Sequence, residues 1–87
     1  MNRETLLEFP CEFPLKILGR TDAGFAPAVA IVLSRHAPDF DAGSMRLRSS
    51  KAGNYLSLSC TVRAVSQDQL DALYRDLTSH PLVKVVL

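Results

Sequence analysis

The sequence predicts an α+β domain in which two helices pack on one face of a four-stranded antiparallel sheet. Two observations carry this prediction: a strictly alternating strand at Tyr55–Ala64, and helical spacing of apolar residues around Leu70–Leu77. Breaks that contain glycine or proline then divide the rest of the chain into the order β-α-β-β-α-β. With 87 residues, 47% of them hydrophobic, the chain is large enough for one domain with its own core.

An amino-terminal arm comes first and is followed by a short strand. We assign residues 1–11 to the arm and residues 12–87 to the domain, since two prolines near the junction oppose helix formation. The first strand is predicted at Leu15–Gly19. Alternation then directs Ile17 to the core and Lys16 to the opposite face.

The first helix follows a turn that contains two glycines. Apolar residues recur at helical spacing from Phe25 to His36, and Asp22 is the predicted N-cap. Pro27 requires this helix to start late or to bend in its first turns. Pro38 ends it, since the residue before a proline disfavours the α conformation.

Two strands joined by a tight turn form the middle of the chain. Ser44–Ser50 is the second strand, with Met45 and Leu47 directed inward. Residues 51–54 form a hairpin turn in which glycine supplies the positive φ. In the third strand, Tyr55–Ala64, every second residue faces the core: Leu56, Leu58, Cys60, Val62 and Ala64.

The second helix has the clearest start signal in the chain. Ser66 and Gln69 form a capping box, and apolar residues follow at i, i+3, i+4 and i+7 from Leu70. A last strand, Leu82–Leu87, completes the set. With right-handed crossovers this order is the ferredoxin-like split β-α-β fold, with strand order 4-1-3-2.

Helices on one face leave the other face of the sheet uncovered. That face is predicted to carry ten residues, half of them cationic and none acidic: Lys16, Leu18, Arg46, Arg48, Ser57, Ser59, Thr61, Arg63, Lys84 and Val86. Lys16, Arg46, Arg48 and Arg63 are therefore candidates for docking an acidic partner. The alternative, which the ordinary abundance of surface charge favours, is a solvated face whose charges discourage aggregation.

Several classes of function are disfavoured. A net charge of +1 does not call for nucleic acid or an anionic membrane, and the central strands lack the aromatic residues on which RNA bases stack. The cysteines and histidines lack metal-ligand spacing, no nucleophile and base can be named together, and no cofactor is indicated. The amino-terminal residues are too charged for a secretory signal and no apolar run spans a bilayer, which favours a cytoplasmic protein with both thiols free.

The chain resembles the YbeD-like family of small bacterial proteins. The resemblance covers nearly the whole length and rests on five features: Leu6-Leu7-Glu8-Phe9-Pro10, Gly19, Arg35-His36-Ala37-Pro38, Ser49-Ser50-Lys51 with Gly53-Asn54-Tyr55, and the closing Val83–Leu87. Gly24 and Pro27 depart from the family pattern. The family is similar in fold to ACT regulatory domains, and its members are often described as lipoate regulatory proteins.

That resemblance implies a non-catalytic regulatory module, with ligand contacts at two turns. Gly19, Asp22 and Gly24 lie where ACT domains approach a small molecule, and Lys51, Asn54 and Tyr55 form the second candidate group. In both turns a purely structural role is the stronger alternative, through glycine turns and Asp22 as a cap.

Two functional hypotheses therefore remain open. The first is an ACT-like module that binds a small molecule or a partner enzyme, with a link to lipoate metabolism. The second is a protein-docking adaptor that uses the basic sheet face. Edge strands at 44–50 and 82–87 would expose unpaired amides, so a homodimer is also a candidate assembly.

Overall fold

The computed structural model describes residues 8–87, so most of the predicted arm, residues 1–7, lies outside the described residues. The elements run in the predicted order: β1 (Cys11–Arg20), α1 (Phe25–His36), a short 3-10 helix (Ala42–Ser44), β2 (Arg46–Ser49), β3 (Tyr55–Ala64), α2 (Gln67–Thr78) and β4 (Val83–Val86). All strand pairs are antiparallel and the sheet order is β2-β3-β1-β4. This order confirms the predicted ferredoxin-like arrangement.

The central strand β1 is longer than the sequence suggested. It begins at Cys11 and pairs with β3 throughout, from Cys11 opposite Ala64 to Arg20 opposite Tyr55. The strand therefore starts before the predicted Leu15 and includes Cys11, which the sequence analysis assigned to the arm. Pro14 fits inside the strand for a geometric reason. The backbone N–H and C=O of Lys16 both bond to Leu87 on the neighbouring strand. The backbone nitrogen of Pro14, two residues earlier, points to the same side of β1, beyond Leu87, where no partner needs an N–H.

The core lies between the helices and one face of the sheet. Its largest fully buried side chains come from both helices and both long strands: Phe25, Ile17, Leu33, Leu58, Leu73, Leu77, Val29 and Val62. In β3, Leu56, Leu58, Cys60, Val62 and Ala64 are all buried, as the alternation predicted. Phe13 and Tyr74 close one side with an edge-to-face contact, their ring centroids 6.5 Å apart.

Helix α1 starts in a different way from the one predicted. Asp22 is not its N-cap: Gly24 occupies that position, and Asp22 Oδ1 accepts a hydrogen bond from the Gly24 amide at 2.7 Å. The first helical bond runs from Ala28 N to Gly24 O at 3.0 Å. Pro27 is thus the third helical residue, where no intrahelical donor is needed, so the helix needs no bend to accommodate it.

Helix α2 starts as predicted, with one additional link. Ser66 Oγ accepts a hydrogen bond from the Gln69 amide at 3.0 Å. Gln69 Oε1 accepts a hydrogen bond from the Val65 amide at 2.6 Å, and Gln69 Nε2 donates one to the carbonyl of His36 at 2.8 Å. One glutamine therefore caps α2 and ties it to the last residue of α1.

The two outer strands depart most from expectation. β2 contains only Arg46–Ser49, because Ser44 belongs to the 3-10 helix. Leu47 lies opposite Leu58 and so faces the helical side as predicted, but at the outer edge of the sheet it remains 52% exposed. In β4 the register shifts between Leu18 and Gly19, where β4 contains one extra residue, Lys84.

That shift corrects the predicted uncovered face. Leu18 lies opposite Val85 and Lys16 exchanges backbone bonds with Leu87, which puts Val85 and Leu87 on the same face as Lys16. Val86 lies opposite Ile17 and packs against the core instead. The uncovered face therefore bears Val85 and Leu87, where Lys84 and Val86 had been expected.

Candidate functional site

The sheet face opposite the helices is the first candidate surface, and we call it the open face. Strand register defines its members: Glu12, Pro14, Lys16, Leu18 and Arg20 on β1; Tyr55, Ser57, Ser59, Thr61 and Arg63 on β3; Arg46 and Arg48 on β2; and Val85 and Leu87 at β4. No described helix lies across it. The face combines cationic, hydroxyl and aliphatic side chains.

Three of the four predicted docking residues lie close together on this face, on the two strands that flank β3. Ser59 lies between Arg46 on one neighbouring strand and Lys16 on the other, and Ser57 lies opposite Arg48. Lys16, Arg46 and Arg48, which we call the basic cluster, line with these serines a shallow depression of about 390 Å³. The small serine side chains leave room between longer neighbours.

No acidic residue of the described chain neutralises the basic cluster. The ion pairs among residues 8–87 involve Arg35, His36 and Asp76, which lie on the helices. A surface with several cations and no paired carboxylate attracts anionic groups. Arginine in particular can hold a carboxylate through two parallel hydrogen bonds.

Arg63, the fourth predicted docking residue, lies apart from the basic cluster. It is opposite Glu12, four residues along β3 from Ser59. The acidic residue was not expected on this face, because the sequence prediction started the first strand only at Leu15. The Glu12 carboxylate therefore lies opposite Arg63 in the strand register, and Arg63 contributes less to an anion-binding surface.

An aliphatic border follows the basic cluster on the β4 side. It consists of Leu18, which is half-buried, with Val85 and Leu87, which are 46% and 65% exposed. Sequence reasoning missed Val85 and Leu87 because alternation counted straight through Lys84, where the register shifts. The open face thus has a charged side and an apolar side.

The two predicted ligand-binding turns meet at one end of the sheet. Thr21 donates its amide to Asn54 O at 3.1 Å and its hydroxyl to Gly53 O at 2.6 Å. Gly53, with φ of 78°, provides the left-handed backbone that this hairpin needs. Arg20, Thr21, Gly53, Asn54 and Tyr55 line a polar depression of about 320 Å³, which we call the tip pocket.

Sequence reasoning selected only part of the tip pocket. Asn54 and Tyr55 line it, whereas Arg20 and Thr21 were missed because the first strand was predicted to end at Gly19. Alternation from Lys16 and Leu18 would have found Arg20. Lys51 is exposed in the turn and does not line the pocket.

The other predicted ligand residues have structural partners. Gly19 is buried, and a Cβ there would collide with the Leu82 carbonyl and the Phe25 ring, so it permits close packing. Asp22 and Gly24 bond to each other, which commits one carboxylate oxygen and one amide to the turn itself.

A charged group that the sequence did not reveal joins the helices. Asp76 Oδ2 lies 2.9 Å from both Arg35 Nη1 and His36 Nε2. A carboxylate only accepts, so His36 Nε2 must carry the proton. The hydrogen bond from His36, followed by Arg35, lowers the pKa of Asp76 below its usual value. The residues are 40 positions apart in the chain, so no spacing signal could have linked them.

The remaining reactive side chains form no cluster. Within residues 8–87 no three His, Cys, Asp or Glu side chains are arranged to hold a metal ion. Both cysteines are unbonded, and burial raises the pKa of the Cys60 thiol to about 11. No helix in the described part of the chain is long and apolar enough to cross a membrane. The arrangement is suited to binding through charge and apolar contact.

Similar proteins come from bacteria. A family model described as "Protein of unknown function (DUF493)" matches residues 4–87. UPF0250 protein NE1487 of Nitrosomonas europaea is 47% identical over 87 residues, which cover all of both chains. A UPF0250 protein of a Janthinobacterium species is 51% identical over 84 residues, covering 97% of this chain and 92% of that one.

Two solved structures share the fold at low sequence identity. Protein HP0495 from H. pylori aligns with a TM-score of 0.72 at 12% identity, covering 93% of this chain and 85% of that one. The ACT domain from GTP pyrophosphokinase of Chlorobium tepidum aligns with a TM-score of 0.67 at 17% identity, covering 88% and 83%. The ACT-like fold that the resemblance implied is therefore confirmed. Its sequence relatives place this chain in the DUF493 family, a YbeD-like family as the sequence predicted.

Proposed function

We propose that this chain is a non-catalytic regulatory module of the cytoplasm that binds a partner protein through its open face. The observation that carries the proposal is the basic cluster. Three cations surround Ser57 and Ser59 on a face that no described helix covers, without an ion pair to any described residue. Such an arrangement favours an acidic partner.

A protein suits this face better than a nucleic acid. The central strands present Ser57, Ser59 and Thr61, which cannot stack on bases, and Tyr55 lies at the far end. The similar ACT domain belongs to a GTP pyrophosphokinase. By analogy with that fold, we propose an enzyme as the partner, and lipoate metabolism as its setting on the family resemblance.

Charge reversal tests the proposal directly. Arg46→Glu/Arg48→Glu should abolish recovery of the partner by affinity capture from the native cell, with recovered proteins identified by mass. The matched control, Lys51→Glu/Arg75→Glu, makes the same change in net charge at exposed positions away from the open face and should retain the partner. Equal recovery by both variants, with folding verified by circular dichroism, would reject the proposal.

The tip pocket supports a second candidate function, the binding of a small carboxylate. Arg20 could receive the carboxylate, and the pocket lies where the two predicted ligand turns join. A ligand that binds only the folded state raises the melting temperature. Lipoate, octanoate and single amino acids should therefore be compared in thermal melts of the wild type and Arg20→Gln. Melting that none of them shifts would eliminate this function.

A further inference from the structure

The open face has a trough along its middle. Ser57 and Ser59 form the floor, since their side chains are the shortest of their rows. Arg46 and Arg48 stand on the β2 side, and Lys16 and Leu18 stand on the β1 side. Three adjoining depressions share Lys16, which shows that the trough continues along the strands.

Charge changes systematically across the trough. One row reads Arg48, Ser57, Leu18 and Val85 from the β2 edge to the β4 edge. The next row reads Arg46, Ser59, Lys16 and Leu87. Each row begins with arginine and ends with an aliphatic side chain. A complementary partner must therefore be acidic along one side and apolar along the other.

The spacing of these groups matches a helix. Arg46 and Arg48 are two residues apart on one strand, or about 7 Å, while carboxylates at i and i+4 on a helix are about 6 Å apart along its axis. The arginine column (Arg46 and Arg48 at β2) and the aliphatic column (Val85 and Leu87 at β4) are three strand spacings apart, or about 14 Å. A helix with side chains is about 10–12 Å across, and can reach both columns while it lies over the serines.

We propose that the occupant of the open face is an amphipathic helix of the partner, acidic on one side and apolar on the other, lying along the trough. This inference rests on the proposed function and specifies the partner's chemistry. The acidic side pairs with Arg46 and Arg48, and the apolar side covers Leu18, Val85 and Leu87. The sheet then gains a second helical layer.

Two other occupants fit less well. A second copy of this chain placed face to face would set Arg46 and Arg48 against the same arginines or against the aliphatic border, and neither arrangement gives them a carboxylate. An extended segment would add to an exposed edge through backbone bonds, and would leave the trough uncovered. A helix uses both the charged and the apolar columns.

Synthetic peptides provide the test. The probe is a helical peptide of about 20 residues with glutamates at i and i+4 on one side and leucines on the adjoining side. The control peptide has the same composition and helicity, with these residues scattered around the helix. Fluorescence anisotropy with the full chain, at low and high salt, should show binding of the first peptide only.

Variants of the chain divide the surface into its two columns. Arg46→Glu/Arg48→Glu should weaken binding at least about tenfold and remove most of its salt dependence. Val85→Ser/Leu87→Ser should weaken binding about three- to tenfold and leave the salt dependence unchanged. Lys51→Glu/Arg75→Glu should bind like the wild type, and each variant is first shown to melt as a folded domain.

Several outcomes would overturn the inference. These are equal binding of the two peptides, no binding of either, or no effect of Val85→Ser/Leu87→Ser. A stable dimer that Arg46→Glu/Arg48→Glu dissociates would assign the face to a second copy instead. If cellular capture still depends on Arg46 and Arg48, the proposed function survives such a result and only the helical partner is rejected.

Discussion

The two faces of this sheet share one backbone and obey different constraints. On β3, Leu58 is fully buried against the helices, while its neighbours Ser57 and Ser59 form the floor of the open face. Burial determines which residues can stand on the covered face, because each one must fill space and avoid water. The open face carries no such requirement, so its residues can be chosen for what they contact.

The largest expected effect separates these faces within one strand. Leu58→Ala should lower the free energy of unfolding by about 2–5 kcal/mol, since it leaves a cavity in the core. Ser59→Ala should change it by less than about 0.5 kcal/mol. Urea unfolding of both variants measures the difference. Similar losses in the two would mean that the open face is also packed against something.

Thiol reactivity offers a second comparison. Burial raises the pKa of the Cys60 thiol from 9.0 to about 11, so its thiolate is about 100-fold scarcer at a given pH. A thiol reagent at pH 8 should therefore label half-buried Cys11 well before Cys60. Peptide mapping by mass spectrometry measures the rate at which each cysteine is labelled, and unfolding in urea should remove the difference between the two rates. Fast labelling of Cys60 in the folded chain would contradict a closed core.

A methyl group at Gly19 should disturb only the covered side. Gly19→Ala would collide with the Phe25 ring and the Leu82 carbonyl, and should cost about 1–3 kcal/mol of the free energy of unfolding. Gly43→Ala is the control, because its methyl would meet only the exposed Asp41 carboxylate. Thermal melts of the two variants should differ clearly. Equal melting would show that this glycine is replaceable, which would reopen a ligand role for its turn.

The smallest expected effect concerns the ion pairs that join the helices. Asp76→Asn should cost less than about 1 kcal/mol, because these groups are partly exposed to solvent. The folded state lowers the pKa of Asp76 below its ordinary 3.8, so the unfolded chain binds the proton more tightly. Its stabilisation is therefore complete above pH 3.8 and is lost as pH falls through the lowered folded value.

Unfolding measured between pH 2 and 6 checks that sign. Asp76→Asn should show a weaker loss of stability in acid than the wild type. Ser59→Ala, a change that removes no titratable group, should retain the wild-type slope. If both variants keep that slope, Asp76 does not couple protonation to folding.

What the sequence could predict follows the same division between faces. Alternation in β3 and the helical spacing of Leu70, Leu73 and Leu77 report burial, and the strand order followed from them correctly. Lys16 was found because it alternates with the buried Leu15 and Ile17. Arg46 and Arg48 were found because they flank an apolar residue on a strand paired with β3.

The rest depended on a competition between local hydrogen bonds and on a contact between distant segments. Gly24 is the N-cap of α1 in place of Asp22, because the Asp22 carboxylate accepts its hydrogen bond from the Gly24 amide within the turn. His36 and Asp76 meet only when the two helices pack together. The Asp22 bond is a local alternative to the predicted cap, whereas the contact between His36 and Asp76 leaves no pattern along the chain.

The extra residue in β4 has a consequence for how this surface can change over time. Lys84 has no pairing partner on β1, and the residues of β4 after it pair with β1 in a register shifted by one residue. Deleting Lys84 would join Val83 directly to Val85 and remove the bulge, and ordinary alternation would then keep Val85 and Leu87 on the open face. The unpaired residue can therefore be lost in one step while the side chains on both faces keep their places.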